Sequence, residues 1–384
     1  MAGHNNNSEN DKKCCWEKGG ILMKKIIHIC QSDIGGTTEY IYMFLKNIDK
    51  NKYENILICP SSGFIRKKIS ILGIKIYILE MTRKIAIFKD FQDIIKIREI
   101  IKKEQPNVLF LHSSKAGALG RMARIGIKNL KVLYNPHGWA FNMEGSSRKE
   151  FFYGAIEKFL SYFTDIIINI SEDEYETAIK RSISEKKMVI IKNGIEIEKY
   201  KENKKEIFLD KYVIGFVGRL SEQKNPLFLV EIAKELLDKK EQNFIFYIVG
   251  DGELREELEK KIKENNLESY FFLRGWSEKV EEDIRNFDIA LMISKWEGFG
   301  LVVCEYMAAK KPVIGVSVGG VKDIIENEKN GILIKEYDSQ KFVENIIRIK
   351  NNIDLKEQLI NRAFIDVKNK FSINRLIEEY MKIL

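Results

Sequence analysis

At 384 residues the chain is too long for one hydrophobic core, and two domains of similar size are expected. Its 45% hydrophobic and 31% charged residues, with 5 prolines and no low-complexity tract, exclude a fibrous or disordered chain. No apolar run approaches the roughly 18 residues that cross a bilayer. The net charge of +8 hides an asymmetry: residues 23–150 carry 23 Lys/Arg against 11 Asp/Glu, whereas residues 151–384 carry 38 against 42. No nucleic-acid-binding motif accompanies the basic half, so nucleic acid is not the expected partner. Anionic lipid headgroups or a phosphate-bearing acceptor fit that charge as well or better.

Residues 1–22 are polar and lack the apolar stretch of a secretory signal. They read as a disordered extension, with folding starting near Met23. The five cysteines (Cys14, Cys15, Cys30, Cys59, Cys304) have no zinc-ligand spacing and an odd count, which points to a reducing cytoplasm. The four histidines show no metal-site spacing, and no metal is expected. From Met23 onward, KKIIHIC is a strand, SDIGG a turn and TTEYIYMFLKNI a helix. ENILICP, NVLFLH, KVLYNPH and DIIINIS follow as strands, with FQDIIKIREIIKK an amphipathic helix among them. In the helix around Arg148–Leu160, Phe152, Ile156, Phe159 and Phe163 share one face, which is expected to turn to the core. Phe151, Tyr153 and Tyr162 fall off that stripe beside Arg148 and Lys149 and leave an interfacial role open. The pattern restarts with KYVIGFVG, FIFYIVG, YFFLRG, FDIALMIS and PVIGVS, alternating with helices such as NPLFLVEIAKELLDKK and LREELEKKIKENN. Continuous apolar strands alternating with helices predict an α/β fold of two doubly wound parallel sheets. The expected boundaries are 23–205 and 206–365, joined through the charged stretch near Tyr200–Lys211, with 366–384 as a helix returning to the first domain.

Ligands of doubly wound sheets sit beyond the carboxyl ends of the strands, so the turns there are the places to search. Five stand out. Gly35-Gly36 opens a helix after the first strand, where backbone amides favour an anion. His137 follows a strand in NPHGW, and His112 ends the neighbouring strand; either suits a substrate hydroxyl or phosphate, and His137 is favoured. Gly218, Arg219 and Lys224 lie together before a helix, a composition suited to a diphosphate. Glu297, Gly298, Phe299, Gly300 and Leu301 lead into a helix containing Glu305, a carboxylate in an otherwise apolar stretch that requires a partner. Carboxylates of this kind accept paired bonds from vicinal diols. Ser317–Gly320 is glycine-rich at the next strand end.

These motifs resemble glycosyltransferase family 4, retaining enzymes of GT-B fold in which two Rossmann-like domains face each other across a cleft. The most specific part is EGFGLVVCE at 297–305 with the following MAAKKPVIGVSVGG. FVGRLSEQKNP, GDGELR, NGIEIEKY and the GG turn support it, and HSSKAGALGRMAR with NPHGWAF is similar to the subgroup that assembles bacterial capsule, O-antigen and lipid-linked glycans. The resemblance implies that Arg219 and Lys224 hold the diphosphate of a nucleotide-sugar donor, UDP-linked by default, while Glu305 binds the ribose diol. Glu297 with the backbone of Gly298–Gly300 would hold the donor sugar, His137 would sit near the sugar being transferred, and Gly35 and Gly36 would pass beside the phosphates. Base recognition near Arg274 and Gly275 is a looser correspondence. Tyr306 before Met307 departs from the small residue common there. The implied chemistry uses no cofactor, and a lipid-linked or glycan acceptor would bind the basic N-terminal half, placing the enzyme in the cytoplasm with peripheral contact to an anionic membrane. The alternatives are another sugar-nucleotide enzyme of the same fold, such as an epimerase, or a non-catalytic carbohydrate or lipid-carrier binding protein.

Overall fold

The computed structural model describes residues 16–18, 21–33, 35–61, 64–82, 84–142, 147–201 and 205–384. Two compact units are formed, one by Met1–Ile191 with Ile377–Leu384 and one by Lys192–Leu376. Most of the extension expected over residues 1–22 lies outside the described residues. Strand β1 (Trp16–Lys18), however, pairs antiparallel with the start of β2 (Ile21–Cys30), so ordered backbone begins ahead of Met23. The first residues of β2 extend beyond its parallel neighbours, whose pairing starts at Lys24, and β1 supplies their backbone partners.

In the first unit, β2 is followed by α1 (Gly36–Asn47), β3 (Tyr53–Cys59), α2 (Phe64–Ser70), β4 (Lys75–Ile78) and α3 (Ile87–Glu104). Then come β5 (Val108–His112), α4 (Ser114–Ala123), β6 (Lys131–Asn135), α5 (Ser147–Ser161), β7 (Ile166–Asn169), α6 (Glu172–Lys180) and β8 (Met188–Ile190). The parallel order is β4-β3-β2-β5-β6-β7-β8, so the chain reverses direction across the sheet between β2 and β5. Helices cover both faces, which is why strands such as β5 are buried at every position. Packing of α1 on α2, and of α3 on α4 and α4 on α5, separates the two helical layers.

The expectation for α5 is overturned. Phe152 and Phe159 are exposed, whereas Gly154, Glu157, Leu160 and Ser161 face inward. The reason is Arg121 on α4, wholly buried, whose Nη2 donates to Glu157 Oε2 at 2.7 Å while Tyr134 Oη donates to Oε1 at 2.9 Å. Because Arg121 is buried, Glu157 must turn inward to neutralise it, and the stripe on the opposite side of α5 is turned out with it.

The second unit runs β9 (Tyr212–Val217), α7 (Phe228–Asp238), β10 (Phe244–Val249), α8 (Arg255–Glu264), β11 (Phe271–Gly275), α9 (Val280–Ile284) and β12 (Ile289–Met292). It continues through α10 (Leu301–Ala308), β13 (Val313–Val316), α11 (Val321–Ile324), β14 (Ile332–Ile334), α12 (Ser339–Asn351) and α13 (Ile353–Lys370); the last helix, α14 (Ile373–Ile383), belongs to the first unit from Ile377 onward. The sheet order is β11-β10-β9-β12-β13-β14, all parallel, with its reversal between β9 and β12. The stretch after Ile191 already belongs to this unit: Ile195 bridges Ser372, and Lys205 Nζ donates to Asp288 Oδ2 at 2.6 Å. The passage between units therefore comes before the charged stretch near Tyr200–Lys211.

Candidate functional site

The second unit's reversal point lies between the carboxyl ends of β9 and β12, and the loops that follow these two strands carry Arg219, Lys224 and Glu297. Such a point splays neighbouring loops apart and opens a crevice for a ligand. Lys224 Nζ forms an ion pair with Glu297 Oε2, and Ser294 Oγ donates to the same oxygen at 3.3 Å. The pair is largely shielded, with 20% of the lysine side chain and 13% of the glutamate exposed. Gln223 Nε2 donates to the carbonyl of Trp296 at 3.0 Å, and Lys295 N to that of Gln223 at 2.7 Å, which tie the two loops together. Arg219 differs. It is more than half exposed and pairs with the exposed Glu253 at 3.1 Å, a contact too weak to hold it against a better anion.

After Glu297 the chain turns into α10 through Gly300, whose φ of 96° is open to glycine and strained for other residues. Of the first amides of α10, Val303 N donates to the Gly300 carbonyl at 2.9 Å, while those of Leu301 and Val302 precede the first i−4 carbonyl of the helix. Gly319 seats this loop: at φ +45° its added Cβ would stand 1.8 Å from the carbonyl oxygen of Glu297. Gly320 N donates to that carbonyl at 3.1 Å. Glu305 is half-buried one turn inside α10. Tyr306 is fully buried, and its hydroxyl accepts from Val217 N at 2.8 Å, so the larger residue anchors α10 to the end of β9. Arg274 and Gly275 end β11, two strands from β9; the Arg274 guanidinium lies 3.4 Å from Asp283, and the Gly275 carbonyl accepts from Gly250 N at 2.9 Å. The Arg274 side chain thus points to α9.

The first unit's reversal point holds Gly35-Gly36 after β2 and His112 at the end of β5, with His137 just beyond the adjacent β6. His137 takes a left-handed φ of 51°, with its N–H on Asn135 Oδ1 at 3.0 Å and its ring edge-on to Tyr40 of α1. It ends a chain of imidazoles. Asn55 Nδ2 donates to the Tyr53 carbonyl, so Asn55 Oδ1 accepts from His28 Nε2 at 3.0 Å. His28 Nδ1 then accepts from His112 Nε2, and His112 Nδ1 from His137 Nε2, both at 3.1 Å. Donor counting leaves His137 Nδ1 with a lone pair. Burial lowers all three from the ordinary 6.5: His28 to about 4, His137 to about 3, and His112 well down, with its neighbours' charges adding to the effect. Because the folded state refuses protons that the unfolded chain accepts, the first unit should lose stability as pH falls from about 6.5 towards about 4. Thermal unfolding across that window checks it. His28→Leu should flatten the slope, and an unchanged slope would place the acid sensitivity elsewhere.

His28, Asn55, Ser294 and Tyr306 escaped sequence reasoning as site residues. A single polar residue inside an apolar strand was the signal for His28, and Ser294 closes the strand FDIALMIS. Among the described residues there is no cluster of three metal-ligating side chains, and no helix is long and apolar enough to cross a membrane.

Residues 34–199 match the family model "Glycosyltransferase Family 4", and residues 198–365 match "Glycosyl transferases group 1". A protein of the cps region of Klebsiella pneumoniae is 30% identical over 93% of this chain and 98% of its own. The chain belongs to glycosyltransferase family 4. Within the family, this glycosyltransferase is 28% identical to the Escherichia coli UDP-Gal:alpha-D-GlcNAc-diphosphoundecaprenol alpha-1,3-galactosyltransferase, over 79% of this chain and 82% of the other. Its fold is that of solved GT-B glycosyltransferases. HepE of Anabaena, crystallised with UDP and glucose, superposes with a TM-score of 0.81 at 18% identity, over 94% of this chain and 99% of HepE.

Proposed function

We propose that the protein transfers a sugar, with retention of configuration, from a UDP-sugar to a lipid-linked or glycan acceptor in the assembly of a bacterial surface polysaccharide. The observation that carries this reading is the shielded Lys224–Glu297 pair beside the Gly298–Gly300 turn at the second unit's reversal point. A diphosphate entering there meets Lys224, the exposed Arg219 drawn from its surface pair with Glu253, and the first amides of α10. The ribose diol falls to Glu305, the donor sugar to Glu297, and the base to backbone near Gly275, since the Arg274 side chain is engaged with Asp283. The diphosphate acceptor and the UDP-sugar in the names of the relatives support the two substrate classes.

Breaking the anomeric C–O bond leaves positive charge on the sugar and negative charge on the departing diphosphate. Arg219 and Lys224 stabilise that anion where it forms, the part a metal plays elsewhere. The acceptor oxygen bonds to the anomeric carbon on the face the phosphate leaves, and its proton passes to a phosphate oxygen. His137 Nδ1 accepts a hydrogen bond from a sugar hydroxyl, and Gly35 and Gly36 lie along the phosphates. The reaction takes place in the cytoplasm against the membrane that holds the acceptor.

Thermal unfolding with a panel of nucleotides and sugar nucleotides tests the donor site. A ligand at about 100 times its Kd stabilises by roughly 2.7 kcal/mol, which is about 3 °C for a chain of this size. The expected result is such a shift with UDP and one UDP-sugar, absent in Glu305→Ala. A folded protein that no nucleotide stabilises would overturn the reading in favour of a binding protein without donor chemistry. The anomer of the product then decides retention.

A further inference from the structure

The helical layer α3–α4–α5 of the first unit buries Ile97, Ile101, Leu119 and Leu160 but turns a second set of large apolar side chains outward. On α3, Ile87 is 77% and Phe88 89% exposed, and Phe91 and Ile95 continue the same exposed face at i+3 and i+7 from Phe88. Three of the four carboxylates of that helix are withdrawn instead: Asp93 is wholly buried on Lys89 at 2.6 Å, Asp90 pairs with Lys115, and Glu104 is buried against Lys75 at 2.6 Å. Two helices away α5 repeats the pattern, with Phe151, Phe152, Phe159 and Tyr162 outward and Glu157 buried on Arg121. Because α3 packs on α4 and α4 on α5, both apolar faces belong to one layer. A soluble surface rarely carries so many aromatic side chains on adjacent helices without something to cover them.

The charge that remains outside identifies the cover. Lys84, Lys96, Lys102, Lys103, Lys149 and Lys158 are exposed, while Glu99 is the one exposed carboxylate among the described residues from 84 to 163. Large aromatic side chains interleaved with exposed lysines, with most acidic residues withdrawn, match an interface of anionic headgroups over acyl chains. A second copy of this chain would bring the same lysines face to face.

We propose that the outer face of α3–α4–α5 is the surface by which the protein lies on an anionic bilayer, with Phe88, Phe91, Phe152 and Phe159 inserted below the headgroups. The inference rests on the proposed lipid-linked acceptor and names the face that meets the lipid. It places the first unit with this layer down, so that a lipid-anchored acceptor approaches along it.

Flotation of the full chain with vesicles of phosphatidylcholine, or of phosphatidylcholine mixed with phosphatidylglycerol, tests it. The parent should bind the mixed vesicles, less so at high salt. Phe88→Ser/Phe91→Ser should weaken partitioning by roughly tenfold per phenylalanine removed, and Phe152→Ser/Phe159→Ser similarly. Both variants should keep the UDP-sugar thermal shift, which serves as the control for folding and for the donor site. Mixed vesicles that bind both variants as tightly as the parent would overturn this face while leaving the lipid-linked acceptor standing. A parent that floats with neither vesicle would overturn the inference, and so would variants whose only change is the loss of self-association in sedimentation. Loss of the donor shift in the parent itself is the separate failure of the functional reading.

Discussion

Lys224→Ala should lower kcat/KM by about 10² to 10³, mostly through kcat, because the charge Lys224 meets on a departing diphosphate is larger than that on the bound donor. Lys224 also holds Glu297, and removing the lysine leaves a shielded carboxylate without its cation. A carboxylate freed in this way repels the diphosphate and swings away from the donor sugar. Glu297→Gln and the Lys224→Ala/Glu297→Gln double variant separate these effects. If the two side chains act as a unit, the double variant should be about as impaired as the worse single one, with a coupling term of roughly 1–3 kcal/mol. Strict additivity would show that Lys224 serves the diphosphate and Glu297 the sugar independently. A Lys224→Ala enzyme with near-parental kcat/KM would remove the leaving-group role altogether. Arginine is not a conservative rescue, since its planar fork does not fit a site built around one ammonium on one carboxylate.

How much of this was legible in the sequence follows from the range of the interactions. Strands buried on both faces write themselves as apolar runs, so those read as strands, from KKIIHIC to PVIGVS, are strands of the two sheets. Of those not read, β1 falls in the polar extension, while β4, β8 and β14 have three or four residues and stand at the edges of their sheets, where one side lacks a neighbour and the apolar signal thins. The loops proposed for the donor were legible as candidates because glycine and charge directly after a strand lie at its carboxyl end whatever the packing. Which residues they bond was not: Lys224 and Glu297 are 73 positions apart. The histidine chain was hidden for the same reason, since His28 meets His112 across 84 positions. The α5 reading failed more instructively. Periodicity finds an apolar face but not what lies opposite it, and the fate of Phe152 and Phe159 was decided by an arginine on another helix.

That arginine leads to the other large effect. Glu157→Leu should destabilise the first unit by about 3–5 kcal/mol, because it leaves Arg121 fully buried with its remaining bond, Nε to the Gly117 carbonyl at 2.8 Å, and a Tyr134 ring 3.9 Å away. For a unit of this size the loss corresponds to roughly 10 °C in Tm. Replacing both partners removes the stranded charge, so Arg121→Met/Glu157→Leu should recover most of that loss. Calorimetry of the three proteins checks the sequence of effects. A single variant that melts within a degree of the parent would mean that Arg121 reaches solvent or another acceptor on its own. The double variant also asks what the ion pair is for. As long as Glu157 must stay on Arg121, α5 cannot roll its phenylalanines into the core, and the aromatic face stays outward at a cost in hydration. With both charges gone, the part-buried Arg181–Glu150 pair at 3.2 Å still opposes that roll, but the fully buried tie is lost and Phe152 and Phe159 gain by burial. The double variant should therefore be stable yet poorer at binding anionic vesicles than the parent. Unchanged vesicle binding would show that the shape of the α4–α5 contact alone fixes which face of the helix is presented.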